Sequence, residues 1–219
     1  MPKLKPNTQL ARRENILDAA ERCFARTGFH RTTMQDICHE AEVSLGAVYV
    51  YFASKEELIA GITERDRSKL AGELAQVAQA PDLMAALSML GEHYTIEEPR
   101  YKQQLVIEIG CQSMREGAVG EIFRSCDAFV LEQFEMLFRR AEAEGKIAPK
   151  LDHNTLAHAV AVIGDGLFWR RAVDPNFDAK KMIPVVTALI SSLLNPALPP
   201  LSRSTAAAHP ADAHHEVKS

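Results

Sequence analysis

Four side chains near the start of the chain carry groups that can hold a phosphate. Tyr49 and Tyr51 have hydroxyls that can donate hydrogen bonds. Thr33 and Lys55 each stand at the start of a predicted helix, beside backbone N–H groups that have no partner within the helix. The stretch Ser-Lys-Glu-Glu at 54–57 is a capping box. Thr33 is also suited to cap its own helix, a role that requires no ligand.

The spacing of apolar residues predicts the helices that position these groups. Apolar side chains recur every three or four residues from Ile16 to Phe24, and Gly28 is suited to end that helix. Asp36 follows Thr33 by three residues, as in an acidic variant of the capping box, so a second helix is predicted to begin there. A longer fourth helix is predicted from the capping box at 54–57 to about residue 80.

A short third helix lies between them. Ser44 can cap it, and it is predicted to run to about Val50. Val48 and Phe52 are four residues apart and are expected to point into a small core with Ile37. The same geometry leaves four residues of this helix on its outer surface: Leu45, Gly46, Ala47 and Tyr49.

Two helices joined by a tight turn, with a third in front, predict a helix-turn-helix, in which one helix braces on the DNA backbone while the next enters the major groove. Glu42 occupies the turn and is expected to carry some backbone strain. A dense, ordered set of motifs in residues 13–58 closely resembles the N-terminal domain of the tetracycline-repressor (TetR) family: Ile16-Leu17-Asp18-Ala19-Ala20, Phe24, Gly28-Phe29, Thr32-Thr33-Met34-Gln35-Asp36-Ile37, Ala41-Glu42-Val43-Ser44, Gly46-Ala47-Val48-Tyr49-Val50-Tyr51-Phe52 and Ser54-Lys55-Glu56-Glu57-Leu58.

This resemblance implies a ligand-responsive regulator, usually a repressor. The sequence departs from the family pattern at Glu42, where the family often has Gly. Thr33, Tyr49, Tyr51 and Lys55 match positions at which the family contacts the DNA backbone. Gln35 and residues 45–47 match positions near the bases. Leu45 is apolar and can contact a thymine methyl. We therefore predict nine DNA-binding residues: Thr33, Gln35, Ser44, Leu45, Gly46, Ala47, Tyr49, Tyr51 and Lys55.

The distribution of charge is compatible with a basic N-terminal segment that faces DNA, attached to a remainder of the chain that is acidic. Residues 1–31 carry seven basic and three acidic side chains, although the whole chain has a formal net charge of −4. A solvated helix surface would look the same. Four of the basic residues form a predicted N-terminal arm, either entering the minor groove or disordered: Lys3, Lys5, Arg12 and Arg13.

The remainder of the chain predicts an all-α protein. Period-two alternation flanked by hairpin turns is missing, and further helices are predicted at about 82–95, 100–115, 118–144, 153–173 and 179–195. We predict three segments: a helix-turn-helix domain at 1–60 with the basic arm, a larger helical ligand-binding and dimerisation domain at 61–195, and a disordered tail at 196–219. The tail is rich in Pro, Ala, Ser and His and has no periodic apolar face.

The last two predicted helices favour a homodimer. Each is apolar on two sides, so one side is expected to pack on the chain's own core and the other on a partner. The resemblance implies the same four-helix bundle. Gly164 and Gly166 favour close helix contact. We assign the partner contact to the regularly spaced stripe of each helix: Leu156, Val160, Ile163, Leu167, Ile183, Val186, Ile190 and Leu193.

The resemblance also implies an effector-binding chamber, which we expect between the DNA-binding module and the predicted four-helix bundle. The candidate lining residues are Tyr94, Ile107, Glu108, Cys111, Phe123, Phe134, Phe138, Asp165 and Trp169. Glu108 interrupts an apolar run, so its carboxylate needs a partner: an atom of a ligand, or a structural one on Arg115, Gln112 or a neighbouring helix. The aromatic lining favours a flat or hydrophobic effector.

Other classes of protein have less support. The chain contains no HExxH, GxSxG, P-loop or GxGxxG string, and its four cysteines have no CxxC spacing, so we expect no enzyme activity, cofactor or metal site. No apolar run predicts a membrane span or a secretory signal, and we expect a cytoplasmic protein. The alternatives are a helical adaptor that binds only proteins, or a regulator that activates transcription.

Overall fold

The computed structural model describes residues 6–114 and 117–196, and these residues are almost entirely helical. The predicted arm residues Lys3 and Lys5, and the tail beyond residue 196, lie outside the described residues. The helices are α1 (Pro6–Thr27), α2 (Met34–Glu40), α3 (Leu45–Tyr49), α4 (Lys55–Gln79), α5 (Leu83–Glu92), a π-helical turn (His93–Glu97), α6 (Arg100–Ser113), α7 (Ala118–Ala143), α8 (His153–Val173) and α9 (Ala179–Leu194).

The all-α prediction is confirmed, and the predicted helix ends are close to the observed ones. Among the described residues the only extended pairing is an isolated bridge between Ile147 and Pro196. The π-helical turn was not predicted; it prolongs α5, and Pro99 follows it. None of the described helices combines the length and hydrophobicity that crossing a bilayer would require.

Two hydrophobic cores organise the chain. The first contains the inner faces of α1 to α3 and the start of α4, and it is completed by Leu105 and Ile109 of α6. The second joins the end of α4 with α5, α7, α8 and α9 around the fully buried Phe138 and Leu156. The N-terminal module therefore packs directly on a helix of the C-terminal domain.

Helix α4 connects these two cores. Its first turns bury Leu58, Ile59 and Ile62 in the first core, and its last turns bury Leu74 and Val77 in the second. A helix of 25 residues is about 37 Å long. Helix α4 is thus a continuous connection between the two cores.

The predicted caps are present. Gly28 ends α1 with φ +83°, a left-handed conformation that favours glycine. Thr33 and Asp36 form a capping box at α2: the Thr33 hydroxyl accepts from the Asp36 N–H, and the Asp36 carboxylate accepts from the Thr33 N–H. At α4 the Ser54 hydroxyl accepts from the Glu57 N–H as predicted, but the Glu57 carboxylate reaches back to the N–H of Ala53.

Candidate nucleic-acid interface

The turn between α2 and α3 is tight and contains the predicted strain. Glu42 has φ +56°, a left-handed conformation that is costly for a residue with a Cβ atom. The Val43 N–H bonds to the Cys38 carbonyl at 3.0 Å, which closes the turn. From α1, the Asn15 side chain donates to the Ala41 carbonyl at 2.7 Å. Together these contacts fix the direction in which α3 leaves α2.

The inward and outward faces of α3 agree with the sequence prediction. Val48 and Phe52 are buried in the first core with Ile37. On the other side, Leu45 is 39% exposed and Tyr49 is 50% exposed. Helix α3 is therefore anchored in the first core by one side and presents Leu45 and Tyr49 on the other.

Gly46 has no side chain on this outer surface. A Cβ atom placed at Gly46 would meet nothing within 4 Å, so no contact inside the chain requires glycine here. Its neighbour Ala47 is half-buried. The backbone of α3 can consequently approach another molecule closely at this point.

The other predicted DNA contacts have mixed positions. Gln35 and Ser44 are exposed, and the Ser44 hydroxyl accepts from the Ala47 N–H at 3.2 Å, so it is a cap in this structure. Thr33 is exposed but bonded to Asp36 through its hydroxyl at 2.7 Å. Tyr51 is only half-buried and packs against the first core. Val50, which has no predicted role, is 78% exposed, more than Leu45 or Tyr49.

Lys55 is held by the turn that follows α1. Its ammonium group donates to the Phe29 carbonyl at 2.5 Å and to the His30 carbonyl at 3.3 Å. The ammonium nitrogen also lies 4.5 Å from the centroid of the Phe29 ring. These contacts fix the ammonium group beside the start of α4.

Several of the basic residues counted in the N-terminal segment are internal ion-pair partners. Arg22 and Arg26 both bind the Glu40 carboxylate, at 2.7 and 3.1 Å, and so tie α1 to α2. These hydrogen bonds hold the pKa of Glu40 below its usual value. Arg12 and Arg13 lie within α1, which corrects their assignment to a separate arm.

The predicted effector residues are not brought together. Tyr94 donates to Glu73 at 2.5 Å, Cys111 is exposed, and Asp165 and Trp169 lie on the outer surface. The structure thus corrects the placement of these last three residues in an inner chamber.

The aromatic members of that set divide between the two cores. Phe123 packs against the first core, whereas Phe134 and Phe138 stack 5.9 Å apart in the second. Ile107 is half-buried. Glu108 accepts from the Phe29 N–H at 2.9 Å and from Gln112 at 3.5 Å, so of the two alternatives its partner is a structural one.

A groove of about 320 Å³ runs between α4 and α7. Polar and apolar atoms both line it, from Ala60, Thr63, Glu64, Arg67, Glu121, Ile122 and Ser125. The Arg67 guanidinium group stacks 4.4 Å from the centroid of the Phe129 ring. None of the nine predicted chamber residues lines this groove. The sequence gives little indication of this groove, because residues 60–67 and 121–125 come together only when α4 and α7 pack.

The stripe of α8 and α9 residues that was assigned from the sequence to a dimer contact faces largely toward the chain's own core. Leu156, Leu167 and Ile183 are buried, which removes them from any partner contact. Ile190 and Leu193 pack on the second core with Val160, while Ile163 and Val186 are half-buried. Other apolar side chains of α8 and α9 are exposed, and we call them together the outer face: Val162, Trp169, Val173, Met182, Val185 and Leu189.

Comparison with known proteins agrees with this architecture. Residues 16–62 match the family model "Bacterial regulatory proteins, tetR family", and residues 97–195 match "BetI-type transcriptional repressor, C-terminal". The HTH-type transcriptional regulator UidR of Escherichia coli (strain K12) is 27% identical over 141 residues, 64% of this chain and 71% of UidR.

Solved structures share the whole fold. Salmonella enterica GusR has 26% sequence identity and a TM-score of 0.71, covering 88% of this chain and 98% of GusR. The SmeT–triclosan complex has 26% identity and a TM-score of 0.69, covering 83% of this chain and 90% of SmeT, a Stenotrophomonas maltophilia protein. The chain belongs to the tetR family of bacterial regulatory proteins, and it is a transcriptional regulator, not an enzyme, with an N-terminal helix-turn-helix DNA-binding module.

Proposed function

We propose that this protein is a homodimeric repressor that binds a two-fold-symmetric operator and is released by a small hydrophobic or aromatic effector. The observation that carries the proposal is the outer surface of α3. Leu45 and Tyr49 are exposed there on either side of Gly46, where there is open space, and the inner side of the same helix is locked into a core. A helix held in this way is suited to enter a major groove.

Contacts to bases and to phosphates are divided between different side chains. Gln35 and the residues at 45–47 meet base edges, with Leu45 against a thymine methyl. Tyr49 and Lys55 donate to phosphates, which fixes the register of the module on the duplex. Thr33 already bonds to Asp36, so it contributes mainly by holding α2. Tyr51 contributes a hydroxyl at the edge of the core.

The proposed dimer forms through the outer face of α8 and α9, with a second copy of the chain as its partner. On α8, Val162, Trp169 and Val173 follow a helical stripe and are each more than half exposed. A Cβ atom at Gly164 or Gly166 would meet nothing within 4 Å, so close packing inside the chain does not explain these glycines. Gly166 lies about 40° around α8 from Val162 at 100° per residue, so a partner helix packing on this face would be close to it.

The proposed effector site is the groove between α4 and α7. Arg67, one of the lining residues, is held flat against the Phe129 ring and offers a planar cation that suits an aromatic compound. SmeT, whose fold this chain shares, is known as a complex with triclosan and is described as the repressor of the multidrug efflux pump SmeDEF. Because α4 also carries Lys55, a ligand against α4 can change the affinity for DNA.

The test is operator binding by the full-length protein. Fluorescence anisotropy with DNA from the promoter of its own gene is expected to give specific binding that weakens steeply with salt, since each neutralised phosphate releases counterions. A symmetric site should bind more tightly than either half-site. Binding that is equal for random and promoter DNA would overturn the proposal and favour the adaptor alternative.

Two further measurements test repression and release. A reporter fused to the same promoter is expected to fall when the protein is expressed; a rise would indicate an activator. A panel of aromatic and amphipathic compounds that includes triclosan is expected to contain members that lower operator anisotropy. If no member does so, the effector class is wrong although the DNA-binding proposal stands.

A further inference from the structure

The turn at residues 28–32 is one of the places where α6 of the C-terminal domain contacts the DNA-binding module. From α6, the Glu108 carboxylate accepts a hydrogen bond from the Phe29 N–H at 2.9 Å, a contact between residues 79 positions apart in the chain. One helical turn further along α6, the Gln112 side chain is 2.7 Å from the His30 ring. Two consecutive residues of the turn are therefore held by one helix of the other domain.

The opposite side of the same residue holds Lys55. The Phe29 carbonyl accepts from the Lys55 ammonium group, and the Phe29 ring lies beneath it. Phe29 itself is buried in the first core. A single residue thus connects the Glu108 carboxylate, through its N–H, with the Lys55 ammonium group, through its carbonyl and its ring.

Gly28 leaves room for this arrangement. A Cβ atom at Gly28 would lie 3.1 Å from Oε1 of Glu108, so any larger residue would crowd the carboxylate. The sequence explains Gly28 as a helix C-cap, and its φ of +83° agrees. The close approach of Glu108 is a second feature that favours glycine at the same position.

Lysine has three N–H donors on its ammonium group. In this structure two of them are directed to the Phe29 and His30 carbonyls, at 2.5 and 3.3 Å. The third donor is then oriented by the first two and does not rotate freely. A phosphate that binds beside the start of α4 meets an ammonium group whose direction is already set, which lowers the entropic cost of the contact.

We propose that Glu108 is a positioning residue for DNA binding: by accepting from the Phe29 N–H it fixes Phe29, whose carbonyl and ring orient Lys55 toward an operator phosphate. This inference rests on the proposed function, in which Lys55 contacts DNA. Glu108 touches no DNA in this arrangement and acts only through the turn. A shift of α6 by about 1 Å would stretch the 2.9 Å bond beyond hydrogen-bonding distance, so the contact depends on the position of the C-terminal domain.

The experiment is a double-mutant cycle on operator affinity and its salt dependence. Lys55→Ala is expected to weaken binding and to lower the salt slope by about one. Glu108→Ala is expected to weaken binding about tenfold and to lower the slope as well. The double variant should match Lys55→Ala, because Glu108 has nothing to position once Lys55 is gone.

Two variants control for unrelated effects. Glu108→Gln keeps an oxygen that can accept from the Phe29 N–H, so it is expected to retain most of the affinity. Gln104→Ala removes an exposed side chain from the same helix and should bind as the wild type does. Additive losses in the double variant, or wild-type affinity in Glu108→Ala, would overturn the positioning role.

The outcomes separate this inference from the proposed function. If wild-type protein does not bind its operator, the proposed function fails. If it binds and Lys55→Ala weakens it, but Glu108→Ala does not, only the positioning role fails. Should Glu108→Ala not fold, amide hydrogen exchange at Phe29 in the wild-type operator complex replaces it: strong protection is expected, and the exchange rate of an unprotected amide would reject the contact.

Discussion

Arg65 of α4 donates a hydrogen bond to the carboxylate of Glu21, an α1 side chain that is only 1% exposed. The same guanidinium group also binds Asp18 at 2.7 Å and Glu14 at 3.2 Å. Burial raises the pKa of Glu21, against the opposing attraction of Lys102, 3.6 Å away, and of Arg65. This cluster joins α1, α4 and α6 where the two domains meet.

Replacing Arg65 with Met is expected to destabilise the fold by about 3 kcal/mol, because it leaves the buried Glu21 carboxylate without the guanidinium group that donates a hydrogen bond to it. Arg139→Met is a matched control, since Arg139 makes only an exposed ion pair with Glu135 four residues away, a kind worth about 0.3–0.5 kcal/mol. Urea denaturation followed by circular dichroism measures both. If the two variants lost the same free energy of unfolding, burial of the Glu21 carboxylate would not be the reason for the effect of Arg65→Met.

The pairing of Glu40 with Arg22 and Arg26 predicts a pH-dependent stability. The pKa of Glu40 is lowered from 4.5 in the folded protein, so its contribution is present above pH 4.5 and disappears as pH falls through the lower, folded value. Glu40→Gln should therefore have a lower Tm than the wild type at pH 7, and the difference should shrink toward pH 3. A difference that stays constant with pH would show that the charge is not responsible.

Gly46→Leu is expected to abolish operator binding without unfolding the protein. The added side chain meets open space in the free protein but would hold α3 away from the groove. Gly72→Leu is the control, because a Cβ there also meets nothing within 4 Å and Gly72 lies on α4, far from α3 in the chain. Anisotropy titration at physiological salt compares them, and full affinity in Gly46→Leu would show that α3 is not the reading helix.

Val185→Asp is expected to convert the proposed dimer to a monomer, because it places a charge on the outer face, where Val185 is 59% exposed. Leu10→Asp, at a similarly exposed apolar position on α1, should leave the dimer unchanged. Sedimentation velocity distinguishes the two masses. An intact dimer in Val185→Asp would remove α9 from the interface.

Trp169 is the single tryptophan and lies on the outer face, 52% exposed. Its fluorescence should therefore report dimerisation, with the emission maximum shifting to longer wavelength as the protein is diluted below the dissociation constant. The monomeric Val185→Asp variant should show the shifted maximum at every concentration. Emission that is independent of both dilution and this substitution would place Trp169 outside the interface.

The helix-turn-helix could be predicted from the sequence because its determinants are local. The capping pairs at Thr33 and Ser54 lie three residues apart in the chain, and the spacing of Val48 and Phe52 fixes which side of α3 is buried. Gly28 and Glu42 mark the backbone turns for the same reason. Interactions within one or two helical turns leave their pattern directly in the order of residues.

Tertiary structure decided what was not local. Helices α8 and α9 are apolar on two sides, so periodicity alone could not tell which side packs on the second core; packing placed Leu156 and Ile183 inside and Val185 outside. The partner of Glu108 is 79 residues away, at Phe29. A side chain whose partner comes from a distant segment leaves no periodic signal, and only the folding of α6 onto the turn after α1 identifies it.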